Sequence, residues 1–389
     1  MTVPCVLGVA QFPMRTRLPD YTYADLLGRI AYQAVEDSGV DPGDLDGLIL
    51  SLPPTTTLGV DEAQYWGLAH LPGSRHVLGR VHAAAASGLQ AFRLACAWVS
   101  AGRARRVLVV GADLADEVAN LAGALGQLHD PFTERQVVRN AITSAAVQAS
   151  AYMAAHKVTS LELASVVVKN RGNGVRNQYA QLRQAVTGQE VADSPLLSWP
   201  IRRLDCAPRS SGAAAILVGA EGTGRGGRRT VRAAGFGAFA GARMIGSRMV
   251  PGAQSYLDGA DLAAAAAQAY AVAGIRDPRT EIGCAELYAA FGIIELLSIE
   301  ALGLCPKGEA ARRIADGEFH ADAALPVNPS GGATCGNPLA STGLIRVIEA
   351  TLQLWGEAGE KQVELRQPTV LVTAIAGAFQ SHEVGVLAA

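Results

Sequence analysis

The stretch G-R-V-H-A-A-A-A-S-G-L-Q-A-F, residues 79–92, indicates the fold class. It predicts the end of a β-strand, a tight turn of small residues, and a helix that opens at Ser87-Gly88. Sharp strand-to-helix turns of this kind often present a nucleophile. Here the turn holds four alanines, residues 83–86, so an active-site-like elbow carries methyl groups in place of a reactive side chain.

The same order of elements occurs twice along the chain. One helical pattern begins at Asp25 and closes at Gly39, and a second begins at Asp261 and closes at Gly274. Each has an acidic residue near its start and a glycine at its C-cap position, and each precedes a short apolar run. This repetition predicts two matched halves.

A second pair of helices follows in the same order. The helix from Ser87 leads into the strand R-V-L-V-V-G-A, and a helix from Thr342 leads into P-T-V-L-V-T-A-I-A-G. Helices that alternate with β-branched strands predict an α/β protein with parallel sheets and right-handed βαβ crossovers.

The glycine- and arginine-rich loop 222–229 is the predicted joint between the halves. We therefore expect an N-terminal half at residues 1–225 and a C-terminal half at 226–389. Residues 114–205 have no counterpart in the second half, and we predict that they form an insertion across the mouth of a cleft.

Composition narrows the class of function. The 389 residues are 49% hydrophobic, carry a net charge of -2 and include six cysteines. The charge gives no electrostatic case for nucleic acid, and the cysteine spacing does not resemble a metal site. The first residues lack a signal-peptide pattern, and no apolar run is long enough to predict a membrane span. We expect a cytoplasmic protein.

The most specific motif is N-P-S-G-G-A-T-C-G-N-P-L-A-S-T-G, residues 328–343. Its glycines, including Gly332 and Gly336, predict a loop whose backbone approaches a ligand closely. An ordinary glycine-rich connection is the alternative interpretation.

These motifs together resemble those of the thiolase family, nearest the sterol-carrier-protein-type thiolases. The elbow resembles the nucleophile loop, and E-L-Y-A-A-F resembles the stretch that carries histidine or asparagine. The 328–343 motif resembles the block ending in Gly-His-Pro, and V-T-A-I-A-G-A-F resembles the loop of the second cysteine. The segments 168–177 and 199–215 resemble the lining of the acyl-CoA channel. The resemblance implies two pseudo-symmetric βαβ-rich halves in a five-layer αβαβα arrangement with an inserted loop domain.

At the catalytic positions of the family pattern, this chain has two alanines, an asparagine and a tyrosine. Ala85 stands at the nucleophilic cysteine position, Asn337 at the histidine of Gly-His-Pro, Ala374 at the second cysteine and Tyr288 at the fourth-loop histidine. An alanine methyl cannot form an acyl-enzyme, and an asparagine amide cannot act as a base. We therefore expect that this protein is not a functional thiolase.

Two functions remain open. The first is a CoA-thioester aldolase, a lyase of lipid, steroid or secondary metabolism, in which Tyr288 with a lowered pKa is the base. Asn337 and the backbone around Gly377 would hold the enolate oxygen, and His82 is a further catalytic candidate. The second is a catalytically silent subunit that binds acyl-CoA or a partner enzyme. The polar Tyr288 beside an apolar A-A-F favours the enzyme.

The resemblance also implies partners. We expect a homodimer formed through the first half, and a small OB-fold, zinc-bearing protein that completes the site. Coenzyme A enters as part of the substrate, and no other cofactor and no metal are predicted for this chain. Cys335 is expected to be the only thiol near the pocket.

Overall fold

The protein was analysed as a computed structural model, which describes residues 2–54, 71–72, 78–115, 126, 129–224, 227–241, 246–248 and 259–389. The described strands are β1 (Pro4–Gln11), β2 (Gly47–Ser51), β3 (Leu78–Val81), β4 (Arg106–Asp113), β5 (Leu196–Ser198), β6 (Ile201–Arg202), β7 (Gly212–Ala220), β8 (Val231–Ala240), β9 (Cys284–Glu286), β10 (Thr369–Ala376) and β11 (Ser381–Ala388). The described helices are α1 (Tyr23–Ser38), α2 (Ser87–Ser100), α3 (Ala141–His156), α4 (Ser160–Gly174), α5 (Gly188–Asp193), α6 (Ala260–Ala273), α7 (Pro278–Glu281), α8 (Gly292–Ala301), α9 (Ala310–Ala315) and α10 (Thr342–Trp355).

Local signals set the helix ends where the sequence predicts them. Thr22 and Asp25 form a reciprocal capping box at the start of α1, and Gly39 closes the helix in the left-handed conformation with a φ of 67°. Gly274 closes α6 in the same way, with a φ of 77°. The predicted helix-then-strand pairs are confirmed in both halves, with α2 leading to β4 and α10 leading to β10.

Nine strands form one sheet in the order β3-β2-β4-β7-β1-β8-β11-β10-β9. The run β2-β4-β7-β1 has the same relative directions as β9-β10-β11-β8, with one parallel pair followed by two antiparallel pairs. The two runs meet at β1 and β8, which pair at only two positions, Cys5 with Arg232 and Val6 with Val231. Apart from β3 at its edge, the sheet of described strands is thus a repeat of one four-strand unit.

The expectation of parallel sheets is wrong for the strands nearest the seam. β7 and β11 run antiparallel to both of their neighbours. β11 follows β10 after a short turn, a connection that joins antiparallel strands, whereas the parallel pairs β2, β4 and β9, β10 are joined by longer connections that contain α2 and α10.

The side chains of the strands alternate between layers, as the pleat of a strand requires. In β4, Leu108 and Val110 pack against α1, whereas Val107 and Val109 pack with α2 and α10. In β10, Val370 and Val372 face the same central helices, and Leu371 faces outward.

The outward face of the second half packs on helices as well, since Leu371 shares a cluster with Leu262 of α6 and Leu297 of α8. The order of layers is therefore α1, first half-sheet, α2 with α10, second half-sheet, and α6 with α8. The predicted five-layer fold is confirmed.

The central helices cross at two glycines. A Cβ atom at Gly88 of α2 would lie 2.4 Å from the backbone nitrogen of Leu344, and one at Gly343 of α10 would lie 2.5 Å from that of Leu89. Any larger residue would therefore force the helices apart. This contact brings the start of α2 beside the start of α10.

The segment between β4 and β7 holds helices α3 to α5 and the β5-β6 hairpin. In the described ranges, no helix has the length and apolar character needed to cross a membrane.

Candidate functional site

A cavity of about 300 Å³ lies beside the start of α2, where both halves and the segment between β4 and β7 meet. Its wall is mostly apolar. Four of the residues predicted for the site line it together: Ala85, Tyr288, Asn337 and Gly377. The remaining polar side chains of the wall come from Asp113, Asn140, Ser144, Gln148, Arg209 and Ser210.

The elbow before α2 is held by a single side chain. Ser87 Oγ accepts a hydrogen bond from the Ala83 backbone N–H at 2.8 Å and donates one to the Ala84 carbonyl at 2.5 Å. Ala84 is thereby kept at a φ of 48°, a conformation that costs a non-glycine residue energy. The elbow is a strained turn that presents Ala84 and Ala85 to the cavity.

Tyr288 lies in the loop between β9 and α8, and its backbone N–H donates to Thr373 Oγ1 at 3.1 Å. Burial raises the pKa of Tyr288 to about 12, although the hydrogen-bonding side chain of Asn337 lowers it in part. The expected lowering of this pKa is therefore wrong. At neutral pH the phenol is protonated, and it can donate a hydrogen bond but is a poor base.

Asn337 precedes α10 and is 8% exposed. Its backbone N–H donates to Ser210 Oγ at 2.8 Å, and its side chain pairs with Tyr288. Among the described residues its Oδ1 has no hydrogen-bond partner. This atom is an acceptor, so a bond to an enolate oxygen would come from the second N–H of Nδ2, and that role stays a prediction.

Four other predicted residues lie outside the cavity wall, among them the two glycines of the 328–343 loop. A Cβ at Gly336 would collide with Met14, so packing explains the glycine there. Gly332 lies beside Asn328 with a φ of 61°, so backbone conformation explains the second glycine. Ala374 is fully buried on the face of β10 that packs against the central helices.

His82 is the fourth residue outside the wall. Its side chain is exposed and makes a hydrogen bond to the backbone of Leu52. Desolvation of part of the ring holds the pKa of His82 below its ordinary value.

The expectation that Cys335 is the only thiol near the pocket is wrong. Cys335 is buried, its Sγ contacts the Asn170 carbonyl at 3.3 Å, and it does not line the wall, whereas Cys206 does. Burial raises the pKa of each thiol to about 12. Because the thiolate is the nucleophile, neither cysteine is activated.

Sequence reasoning singled out neither Asp113 nor Gln148 of the wall. Asp113 ends β4, and its Oδ2 accepts a hydrogen bond from the Ala340 backbone N–H at 3.3 Å. Burial raises the pKa of Asp113 to about 7, although backbone donors and Arg209 lower it in part. Its position at the carboxyl end of a strand beside the elbow was the available signal.

Gln148 of α3 is the other missed residue. It is 1% exposed, and its Nε2 has no hydrogen-bond partner among the described residues. Most side chains of helix α3 are small and apolar on every face, so the sequence does not indicate which face meets a ligand.

Buried ion pairs lie beside the 328–343 loop, on the helices and the strand that pack against it. Arg346 of α10 bonds Glu286 of β9 at 2.5 Å and Ser330 Oγ at 2.8 Å. Lys169 of α4 pairs with Glu295 of α8 at 2.8 Å. The segment 168–177, expected to line the channel, contacts this loop, since Asn173 and Asn177 donate to the Asn328 and Ser330 carbonyls.

Asn328 completes this support from inside the loop. Its Nδ2 donates to Glu295 at 2.7 Å, and its Oδ1 accepts from the Leu287 N–H at 2.7 Å. These bonds tie the loop to the segment that carries Tyr288.

Known proteins match the chain over both halves. The family model described as "Thiolase, N-terminal domain" matches residues 9–193, and the one described as "Thiolase C-terminal domain-like" matches residues 250–389. An acetyl-CoA acetyltransferase of Methanothermobacter thermautotrophicus is 31% identical over 375 residues, which is 92% of each chain. Sterol carrier protein 2 of Bos taurus is 31% identical over 216 residues, 53% of this chain and 38% of that protein.

Solved structures share the fold. That of an Ltp2-ChsH2(DUF35) aldolase superposes with a TM-score of 0.83 at 22% identity, covering 100% of this chain and 98% of the other. The two domain models follow one another in the order of the two observed halves, and a relative above 30% identity spans nearly the whole chain. The chain therefore belongs to the thiolase family.

Proposed function

We propose that this protein is a thiolase-fold aldolase that cleaves or forms the carbon–carbon bond of a β-hydroxyacyl-CoA thioester without a covalent acyl-enzyme. The observation that carries the proposal is the elbow itself, which presents Ala85 to a cavity shared with the Tyr288–Asn337 pair. We take Ala85 to occupy the nucleophile position. The aldolase whose fold this chain shares supports the same reaction class.

Retro-aldol cleavage needs a base and an oxyanion donor, but no nucleophile. A base removes the proton of the β-hydroxyl, the Cα–Cβ bond breaks, and its electron pair moves into the thioester as an enolate. An aldehyde or ketone leaves, and the enolate is then protonated at carbon to give a shortened acyl-CoA.

We assign the base to Asp113, because a buried carboxylate with a pKa of about 7 lines the cavity. A pKa near the working pH suits a general base. We assign the enolate donor to Tyr288, whose protonated phenol can donate to the thioester oxygen while the Asn337 amide orients it. A preorganised donor of this kind contributes about 3 to 4 kcal/mol in the transition state.

The proposal includes partners and location. The aldolase of similar fold is named together with a DUF35 protein, which supports a partner protein for this chain. We propose that this partner is a small OB-fold, zinc-bearing protein. We further propose a cytoplasmic homodimer that needs no cofactor beyond the coenzyme A of its substrate.

Chromatography of CoA products tests the reaction. The purified chain, alone and with a co-encoded small partner, is incubated with a panel of β-hydroxyacyl-CoAs. We expect a shortened acyl-CoA and an aldehyde or ketone. Tyr288→Phe should lower turnover about 100-fold or more. The control is Tyr270→Phe, since the Tyr270 hydroxyl bonds the Leu302 carbonyl away from the cavity.

A parallel series with β-ketoacyl-CoAs and free CoA tests the loss of thiolase chemistry. Thiolysis would contradict the assignment of Ala85 to the nucleophile position. Tight binding of acyl-CoA without any product in either series would favour the silent subunit over the aldolase.

A further inference from the structure

One face of helix α3 forms part of the cavity wall. The wall residues of this helix are Ala141, Ile142, Ser144, Ala145 and Gln148, a spacing that places them on one side of a helix. Alanine and isoleucine make most of this face apolar, so its two polar side chains stand out.

Only one of those two polar groups is available to a ligand. Ser144 Oγ is used, because it lies 2.9 Å from His129 Nε2 and donates to the Asn140 carbonyl at 3.2 Å. Gln148 is 1% exposed, and its Nε2 finds no hydrogen-bond acceptor in the described part of the chain. A buried donor without a partner costs free energy that a ligand oxygen can recover.

The Gln148 donor is separate from the polar cluster assigned to the reaction. Tyr288 and Asn337 pair with each other and come from the loops before α8 and α10. Gln148 comes from α3, among apolar neighbours. Moreover, the unpartnered atom of Asn337 is an acceptor, whereas that of Gln148 is a donor. One ligand that satisfies both therefore carries a donating group and a further accepting oxygen.

We propose that Gln148 is a specificity-determining residue, which donates a hydrogen bond to an oxygen carried by the acyl group away from the reacting carbons. The substrate class is then an oxygenated acyl thioester, with a keto, hydroxyl or ether oxygen in its acyl part. A plain saturated acyl chain leaves the Gln148 amide buried and unpaired, and sites built in this way discriminate against ligands that lack the matching polar group. This inference rests on the proposed acyl-CoA function.

Binding of unreactive analogues tests the inference without turnover. The probes are CoA thioethers, which cannot be cleaved as thioesters are, with straight acyl-like chains. One series is fully saturated, and the other carries a single keto group moved stepwise along the chain. Calorimetry on the full chain gives the ratio of affinities between each keto analogue and its saturated counterpart.

We expect one keto position to bind about tenfold more tightly than the saturated analogue, as one neutral hydrogen bond to a buried partner provides. Gln148→Met keeps the length of the side chain and removes the donor, so the ratio should fall to about one. Affinity for the saturated analogue should be retained, which also shows that the variant folds. Gln189→Met, at an exposed glutamine of α5 that bonds Asp193, is the matched control and should keep the ratio.

A keto preference that survives in Gln148→Met, or that is missing in the wild type, overturns the role of Gln148 while leaving the proposed function intact. Failure of the wild type to bind either series, with and without the partner, contradicts the acyl-CoA function itself. The two failures are therefore distinguishable.

Discussion

At the scale of a residue, Asp113 is a buried acidic side chain that costs the fold stability. The carboxyl group lies in a cavity wall that is mostly apolar, and burial raises its pKa from 3.8 to about 7. The backbone donor from Ala340 and the nearby Arg209 recover only part of the lost hydration. Strongly shifted pKa values cluster at functional sites, which supports the proposed role of Asp113 as the base.

This cost has a definite pH dependence. The folded state holds the Asp113 proton up to about pH 7, whereas the unfolded chain releases it near pH 3.8. The stabilising contribution of the protonated group is therefore complete below about pH 3.8 and is lost as the pH rises through about 7.

Asp113→Asn should mimic the protonated carboxyl. At pH 8 the variant is expected to be more stable than the wild type, by up to about 4 kcal/mol, since each pKa unit corresponds to about 1.4 kcal/mol. The gain should shrink towards pH 4, while aldolase turnover falls at every pH. Urea unfolding at several pH values measures the first effect. A variant that is less stable at pH 8 would show that the carboxylate serves the fold.

At the scale of elements, the crossing of α2 and α10 sets the geometry of the site. Both helices begin at the cavity. Their backbones come so close at Gly88 and Gly343 that neither position has room for a Cβ atom. Because Ala85 precedes α2 and Asn337 precedes α10, the distance between the helices decides the distance between these two wall residues.

Gly88→Ala should separate the two helices. A methyl group at this position would lie 2.4 Å from a backbone nitrogen, which cannot move out of the way as a flexible side chain can. We expect a loss of about 1 to 3 kcal/mol or more in the free energy of unfolding, together with weaker acyl-CoA binding.

Gly172→Ala in α4 is the matched control, because a Cβ there meets nothing within 4 Å. It should raise stability by about 0.5 to 1 kcal/mol, through the higher helix propensity of alanine. Equal effects of the two substitutions in urea unfolding would refute the role of the crossing.

At the scale of the whole molecule, the fold was more predictable than the site. Helix ends such as Gly39 depend on local conformation, so the sequence predicted them. The direction of β7 depends on the distant strands β1 and β4 with which it pairs, and that information is not local. Tyr288 and Asn337 were found through motif resemblance, but the protonation state of Tyr288 was not, because its pKa depends on burial. Asp113 and Ala340 are 227 residues apart in the chain, so no local pattern reveals their contact.

The edge strand β3 of the first half is relevant to the oligomeric state. Strand β3 pairs only with β2 among the described strands, so one row of its backbone groups faces away from the sheet. Exposed edges are usually covered or paired. We expect a homodimer formed through this half, with a mass twice that of the 40.3 kDa chain. Sedimentation at micromolar concentration measures this, and a single 40.3 kDa species would contradict it.

The cavity wall runs in sequence from Ala84 to Phe379, and this has a consequence for biosynthesis. A chain emerging from the ribosome displays the alanine elbow early but has no Tyr288, Asn337 or Phe379 to close the pocket over it. Until those residues arrive, the wall residues of the first half lack the partners that bury them in the folded protein. The pocket is therefore complete only after Phe379 has been translated, and we expect a chain truncated before Phe379 to expose apolar side chains that the full chain buries.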